Sequence, residues 1–319
     1  MTFEEYLKDY AKKITPDVLA GLDRVRNNFE DKKHPDVDKY LYNPFKKYIS
    51  NPGKLHRPLT CIAAYKACGG EDIERIIPIA ITIENFQSAA LIHDDIADGA
   101  SLRRSKPCMH IVEGEPIAIN IGDMGLAMVL GSVIDEDKEI LRELTRMEYM
   151  TIEGQAMDLG WARDNRYDIT EEDYFCMATK KTAYYSVATP CVLGALCATS
   201  KDIDKFREFG LKLGLAFQLK DDLLNIVGDA NDKDFRSDID EGKRTLILVK
   251  TIEELGLDIL NKSRDEIAEA MIECGAVKYV EDKAIKLASV ARDILDNINL
   301  NEWKEIFYSM CDWVTSRKV

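Results

Sequence analysis

The chain reads as all-α, a helical bundle larger than a four-helix bundle but built by the same packing. Two observations predict it. Strand signals are scarce, since β-branched alternation is rare and no Asn-Gly or Asp-Gly hairpin sits between alternating runs. Helical windows recur instead, at about residues 56–68, 72–98, 116–134, 136–163, 171–187, 202–228, 243–257, 264–273, 276–297 and 301–316. With 319 residues, 46% of them hydrophobic, the chain can bury a large core. No repeat at solenoid spacing, low-complexity tract or Pro/Ser-rich linker divides it, so residues 1–319 are expected to form a single domain.

Taken in order, residues 2–50 read as one or two amphipathic helices, broken near Pro16 and again by the polar run Asp31 to Pro35. The window at 56–68 opens behind Asn51-Pro52-Gly53, a Gly/Pro loop that places Lys54 and Arg57 at a helix mouth, where free N–H groups favour an anion. The window at 72–98 has no breaker before Gly99 in its last half and is rich in Ala, Ile and Leu. Thr170-Glu171-Glu172-Asp173 is a helix start signal for the window at 171–187. Lys243 and Thr245 stand at one more helix entrance.

Charge and composition narrow the function. The net charge is −14, which argues against a nucleic-acid partner, because no basic surplus exists to neutralise a line of phosphates. Small diphosphate ligands need only a local basic cluster and stay open. No stretch of 18 or more uncharged apolar residues predicts a membrane span, and no signal peptide is expected. Eight cysteines without a CxxC pair read as reduced thiols of a cytoplasmic protein. Four histidines without ligand spacing argue against zinc.

The densest chemistry lies between Glu84 and Pro107. On a helix Asp94 and Asp98 share a face, with Asp95 beside them. Three carboxylates at a helix C-terminus repel one another and oppose the macrodipole. A hard divalent cation such as Mg2+ answers both costs, typically shared between protein carboxylates and a substrate phosphate. Arg103 and Arg104 follow with fork-shaped donors suited to phosphate oxygens. Gln87, two turns before Asp94, can donate to the same anion as Lys54 and Arg57. His93 reads as a packed or orienting residue.

A second carboxylate set repeats the geometry: Asp221 and Asn225 are one turn apart with Asp222 beside them. Gln155 and Asp158 share a helix face and can support a metal water shell. Lys180-Lys181-Thr182 offers a further phosphate contact, Lys233 adds a cation in a loop, and the tail Ser316-Arg317-Lys318-Val319 can fold over an anion or fray. Read singly, each piece has a plain alternative, a solvated charged face or an ordinary polar helix position.

Read together, the pieces resemble the trans-isoprenyl diphosphate synthases, the polyprenyl synthetases, and most of all those forming geranylgeranyl diphosphate. The resemblance runs from about Gly53 to Thr245. The family's GKxxRP stands here as Gly53 to Pro58, and DDxxDxxxxRR as Asp94 to Arg104. GQxxDL, KT, FQxxDD and DIxEGKxT follow at Gly154 to Leu159, Lys181-Thr182, Phe217 to Asp222 and Asp238 to Thr245. The resemblance implies an isoprenoid-synthase bundle around a central apolar cavity and a homodimer. It implies that Lys54, Arg57, Gln87 and Arg104 hold isopentenyl diphosphate, and that Arg103, Lys181, Thr182, Gln218, Lys233 and Lys243 hold the allylic diphosphate. Asp94, Asp95, Asp98, Asp221, Asp222 and Asn225, supported by Gln155 and Asp158, would clamp three Mg2+ on that diphosphate from facing helices. Asp94, Asp95, Lys181, Asp221 and Lys243 are the residues expected to carry catalysis. Three positions depart from the pattern: Ser105 and Arg236 stand where glycine is usual, and Asn225 replaces a third aspartate.

The chemistry expected of such a site is ionisation of the allylic C–O bond, attack by the isopentenyl double bond and loss of a proton to the departing diphosphate, with no side-chain base required. Negative charge developing on the leaving oxygen is met by cations, and an apolar cavity keeps water from the carbocation. The tail would grow down the helix from Asp94, at about 5.4 Å per turn. Ala89 and Ala90, one turn down, leave the cavity open, and Phe86, two turns down, is its floor. Farnesyl-forming members of the family usually close the upper level with an aromatic side chain, so the resemblance implies a C20 product, or C25. A class I terpene cyclase is the nearest rival, since Asp222, Asn225 and Asp229 match the spacing of its second metal motif. GKxxRP argues against it, because a cyclase has no second diphosphate to hold. A non-catalytic partner subunit is disfavoured by the complete first aspartate motif.

Overall fold

A computed structural model describes residues 1–29, 34–229 and 235–317. It is helical apart from one two-residue hairpin among the described residues. The helices are α1 (Phe3–Phe29), α2 (Pro35–Val37), α3 (Asn43–Ile49), α4 (His56–Ala67), α5 (Ile73–Ala97), α6 (Met109–Glu113), α7 (Glu115–Gly131) and α8 (Lys138–Arg163). After them come α9 (Glu171–Ala178), α10 (Thr189–Cys197), α11 (Ile203–Val227), α12 (Ser237–Asp240), α13 (Leu246–Leu255), α14 (Arg264–Glu273), α15 (Ala276–Leu295) and α16 (Lys304–Ser316). A π-helical turn, Asp38–Tyr42, joins α2 to α3, and a longer π-helix, Thr179–Ala188, joins α9 to α10.

Two expectations at the level of elements need correction. Pro16 does not break α1, which runs through it. The proline costs about 3 kcal/mol in a helix interior, and the buried stripe of Tyr6, Ile14, Val18 and Leu22 offsets it. Helix also continues past residue 187 as α10, because that segment is buried almost throughout and shows no one-sided pattern to read. The expected break at Asp31 to Pro35 begins within 30–33, outside the described residues; α2 opens at Pro35.

The chain forms two compact units. The first, residues 1–148, 189–203 and 300–306, packs α5 on α7 and α4 on α10. A Cβ on Gly194 would lie 2.2 Å from the Cys61 carbonyl oxygen, so only glycine lets α10 approach α4 this closely. Phe45, Leu59, Ile79, Ile83 and Phe86 fill its core. Helix α5 is long and apolar enough to cross a membrane, yet 78% of its most apolar window is buried within the protein, the mark of a core helix. His93 fits that packing, its Nε2 lying 3.2 Å from the Ile119 carbonyl oxygen on α7.

The second unit, residues 149–188, 204–299 and 307–319, is centred on Trp161, Tyr174, Leu219, Leu223, Leu246 and Met271. Its helices start on explicit caps. Thr170 and Asp173 form a capping box at α9, Ser263 and Glu266 another at α14, and Thr245 caps α13. None of the eight cysteines is in a disulfide.

Helix α8 carries a buried liability. One Glu148 carboxylate oxygen is buried without a hydrogen-bond partner, and burial pushes its pKa up to about 7. The folded state thus holds this proton more tightly than the unfolded chain. The contribution is present below the unfolded pKa and is lost as pH rises through about 7. Glu148→Gln is expected to raise stability at pH 8 by roughly 1 kcal/mol after allowance for solvent screening, and to change little at about pH 4, below the unfolded pKa. Thermal melts of both proteins at the two pH values check this.

Candidate active site

In the first unit α5 delivers its carboxylates to two different environments. Asp95 is fully buried. Its Oδ1 accepts from Arg103 Nε at 2.7 Å and lies 2.6 Å from Arg103 Nη2, while its Oδ2 is buried without a hydrogen-bond partner. Asp94 keeps 23% of its side chain exposed and only grazes Arg103, at 3.7 Å. Asp98 is half-buried at the helix C-cap. Burial disfavours the Arg103 charge, but Asp95 overcomes it and the net shift is upward, keeping the guanidinium charged. Gln87, Ala90, Leu91, Asp94 and Asp98 form a partly exposed stripe along α5. Ala89 is buried, its Cβ against Gly125 of α7, and Phe86 is buried as well.

Arg103 and Arg104 are held by a tight hairpin. Strand β1 (Leu102–Arg103) pairs antiparallel with β2 (Lys106–Pro107) through a two-residue turn, and both turn residues have positive φ, 51° at Arg104 and 61° at Ser105. A type I′ turn demands that backbone, which suits glycine and strains other side chains. The unusual serine is therefore a strained residue, and Ser105→Gly is expected to stabilise the protein by about 1 kcal/mol, read as a rise in melting temperature with unchanged catalysis. Arg236 has φ 62°. There the strain is offset by an ion pair to Asp265 at 2.7 Å and by stacking 4.7 Å over Phe235.

Arg104 meets the basic loop upstream. Its Nη1 donates to the Asn51 carbonyl at 2.8 Å, and its guanidinium lies where a Cβ on Gly53 would sit 3.0 Å away. The glycine of the GKxxRP pattern thus makes room for the second arginine of the later pair. Helix α4 starts after Leu55 at φ 52°, with no side-chain cap on its N-terminal N–H groups, and Arg57 is buried in its first turn. The sequence reading missed Glu84. It is buried on α5; burial raises its pKa while the charges of Arg57 and Arg104 pull it back. A single acid in an apolar stretch of helix was the available signal.

The second unit builds a network around a wider helix. In the π-helix, Lys181 Nζ reaches Asp158 Oδ2 on α8 at 2.5 Å, and Thr182 Oγ1 donates to Gln218 Oε1 on α11 at 2.6 Å. π-Helical turns are frequent at functional sites. Gly154 permits this one, because a Cβ there would fall 2.2 Å from the Lys181 nitrogen. Gln155 lies half-buried on α8, three residues before Asp158. Gln218 Nε2 donates to Asp222 Oδ1 at 2.7 Å, and the Tyr174 hydroxyl donates to Asp222 Oδ2 at 2.6 Å. Tyr174 was invisible in sequence, 48 residues from its partner.

Burial pushes the Asp222 carboxyl up, and the neighbouring charge of Asp238 adds to it. Asp238 is pushed up by burial too, opposed by Lys243. Lys243 lies 2.5 Å from Glu241 and 3.6 Å from Asp238. Asp221 pairs with Arg317 at 2.6 Å, whose guanidinium stacks over Phe217 and Trp313, so this residue of the tail does fold onto the second acidic cluster. Asn225 uses its amide on the loop: its Oδ1 accepts from the Asp238 N–H and its Nδ2 donates to Ser237. Lys233 lies outside the described residues.

Among the described residues no three His, Cys, Asp or Glu side chains form a ready metal cage. Mg2+ does not need one, being held by one or two carboxylates, waters and substrate phosphates. The unpartnered Oδ2 of Asp95 and the raised carboxyls of Asp222 and Asp238 mark places short of positive charge. The donor set fits.

Comparison with known proteins agrees with this chemistry. The polyprenyl synthetase family model matches residues 38–279. A short chain isoprenyl diphosphate synthase of Methanothermobacter thermautotrophicus is 30% identical over 316 residues, covering 93% of this chain and 95% of that protein. A geranylgeranyl diphosphate synthase of Saccharolobus solfataricus is 34% identical over 270 residues, covering 77% and 80%. The crystal structure of a geranylgeranyl pyrophosphate synthase from Corynebacterium glutamicum, complexed with isoprenyl diphosphate and magnesium, superposes with a TM-score of 0.86 over 100% of both chains at 25% identity. The chain therefore belongs to the polyprenyl synthetase family, the trans-isoprenyl diphosphate synthases.

Proposed function

We propose that the chain condenses isopentenyl diphosphate with an allylic diphosphate, using three Mg2+ per active site, and forms a C20 trans-prenyl diphosphate, with C25 as the next length. Residues 1–319 act as one synthase domain of a cytoplasmic homodimer. The observation that carries the site assignment is charge compensation: Asp94 and Asp95 lie on Arg103, Asp158 on Lys181, Asp238 on Lys243 and Asp221 on Arg317. A diphosphate with its metal enters such pairs by exchanging charge for charge. The cations would be drawn to the anion, and the open carboxylates, Asp94 and Asp221, would be left to hold its metal.

We assign Asp94, Asp98 and Asp221 as ligands, with Gln155 and Asp158 supporting. The enclosed Asp95 and Asp222 serve as anchors, for Arg103 and for Gln218, and Asn225 holds the loop at Ser237. Mg2+, when bound, neutralises the leaving diphosphate and eases C–O cleavage. Lys181, Thr182, Lys243 and Gln218 orient the allylic diphosphate, with Lys233 as a further donor. Lys54, Arg57, Gln87 and Arg104 hold isopentenyl diphosphate at the uncapped start of α4, with the buried Glu84 within electrostatic reach of Arg57 and Arg104. Ala90 leaves the tail room and Phe86 is its floor, whereas Ala89, against the expectation from sequence, packs on Gly125 of α7.

The test is product chromatography after incubation of the purified chain with Mg2+, isopentenyl diphosphate and farnesyl diphosphate. A C20 alcohol after dephosphorylation supports the proposal, as does no hydrocarbon from farnesyl diphosphate alone. Hydrocarbon without isopentenyl diphosphate overturns it. Dimerisation is supported by an exposed apolar stripe on α8, Tyr149, Ile152, Ala156 and Leu159, at helical spacing. Ile152→Glu is expected to yield monomers, read by sedimentation velocity.

A further inference from the structure

The second unit also carries an open groove of about 700 Å3 that shares no lining residue with the carboxylate network. Its volume falls in the range of ligand sites, roughly 300–1,000 Å3. Parts of α9, the π-helix, α11 and α15 wall it, together with Met150 of α8. Phe175, Leu215, Leu287 and Val290 make it apolar. Four lysines line it, Lys180, Lys212, Lys283 and Lys286, against one carboxylate, Glu172.

Two of the lysines are already neutralised, Lys180 by Glu153 and Lys283 by Glu171, each at 2.6 Å. Lys212 and Lys286 take part in no ion pair among the described residues, and Lys212 is half-buried. In a chain of net charge −14, two ammonium groups over an apolar surface form a local reversal of sign. Lysine binds phosphate as a point charge at a wet rim, and the aliphatic and aromatic wall takes a hydrocarbon. A peptide strand finds less here, because the helical walls already use their own backbone donors and acceptors and offer no sheet edge.

We propose that this groove binds a long-chain anionic amphiphile, its tail along Phe175, Leu215, Leu287 and Val290 and its phosphate or diphosphate head at Lys212 and Lys286. The choice of a prenyl tail rests on the synthase reading, since the product is itself such a molecule; the groove's chemistry does not. Occupancy by product, away from the carboxylate network, makes the groove a product-sensing site.

Cys176 lines the groove and is the one exposed cysteine, so it reports occupancy directly. The full chain, in Mg2+ buffer, is alkylated with iodoacetamide in the presence of geranylgeranyl monophosphate, geranylgeraniol or inorganic diphosphate, and modification of Cys176 is followed by mass spectrometry. Saturable protection by the monophosphate is expected. Its half-saturating concentration should rise about tenfold or more in Lys212→Glu/Lys286→Glu and in the exposed single variant Lys286→Glu, with initial-rate kcat unchanged. No protection, equal protection by inorganic diphosphate or by geranylgeraniol, or protection indifferent to both variants overturns the proposal. Protection without prenyl diphosphate synthesis by the same preparation leaves the groove standing and removes the synthase reading instead.

Discussion

Asp94→Asn is expected to lower kcat by roughly two to three orders of magnitude, as removal of one group that stabilises developing charge does elsewhere, while leaving melting temperature nearly unchanged. Its neighbour should behave in the opposite sense. Asp95 is fully buried and carries the close Arg103 contacts, whereas Asp94 is partly exposed and 3.7 Å from the same guanidinium. Breaking a buried pair from one side leaves an uncompensated charge and costs about 3–5 kcal/mol. Asp95→Asn should therefore lose stability first, and activity through displacement of Arg103. Paired measurement of kcat and melting temperature for the two variants separates ligand from anchor. Equal losses of stability, or an Asp94→Asn enzyme that turns over normally, would remove the assignment.

Ala90→Phe is expected to shift the main product from C20 to C15. Ala90 lies on the partly exposed stripe of α5, one turn below Asp94, so an aromatic ring there occupies the path of the tail close to the diphosphate end. The ring adds bulk where there was a methyl, and growth stops when the chain end meets it. The neighbouring Ala89 faces α7, its Cβ 2.8 Å from where a Cβ on Gly125 would stand. A ring at Ala89 is therefore expected to overpack the helix pair, at about 1–3 kcal/mol. Phe86→Ala should act oppositely to Ala90→Phe and lengthen the product. Chromatography of dephosphorylated products reads Ala90→Phe and Phe86→Ala, and thermal melting reads the Ala89 variant. An unchanged product spectrum in both Ala90→Phe and Phe86→Ala would mean that the tail does not run along this helix.

Much of the candidate site was legible because its chemistry is local in sequence. The spacing of Asp94, Asp95 and Asp98, the Arg103-Arg104 pair, and Lys54 with Arg57 at the start of α4 are statements about three- and four-residue periods. Helix packing does not disturb those periods. The departures were legible only against the family pattern: Ser105 and Arg236, where glycine was expected, both have left-handed backbones. Tyr174 and Glu84 were not. Tyr174 acts on Asp222 from another helix, and Glu84 gains its meaning from Arg57 and Arg104, brought near it by packing.

By itself the sequence determined that the chain is helical, where most helices begin and end, and which acidic clusters and basic helix entrances resemble those of the polyprenyl synthetases. Propensity, capping and charge spacing act within a turn or two. Tertiary structure alone decided which member of each acidic pair is enclosed, Asp95 and Asp222, and which stays partly open, Asp94 and Asp221. It also decided that Asn225 ties a loop and that Arg317 returns to Asp221. A helix puts two neighbouring carboxylates about 100° apart around its axis, but which of them turns inward depends on what packs against the helix, and those partners lie tens of residues away.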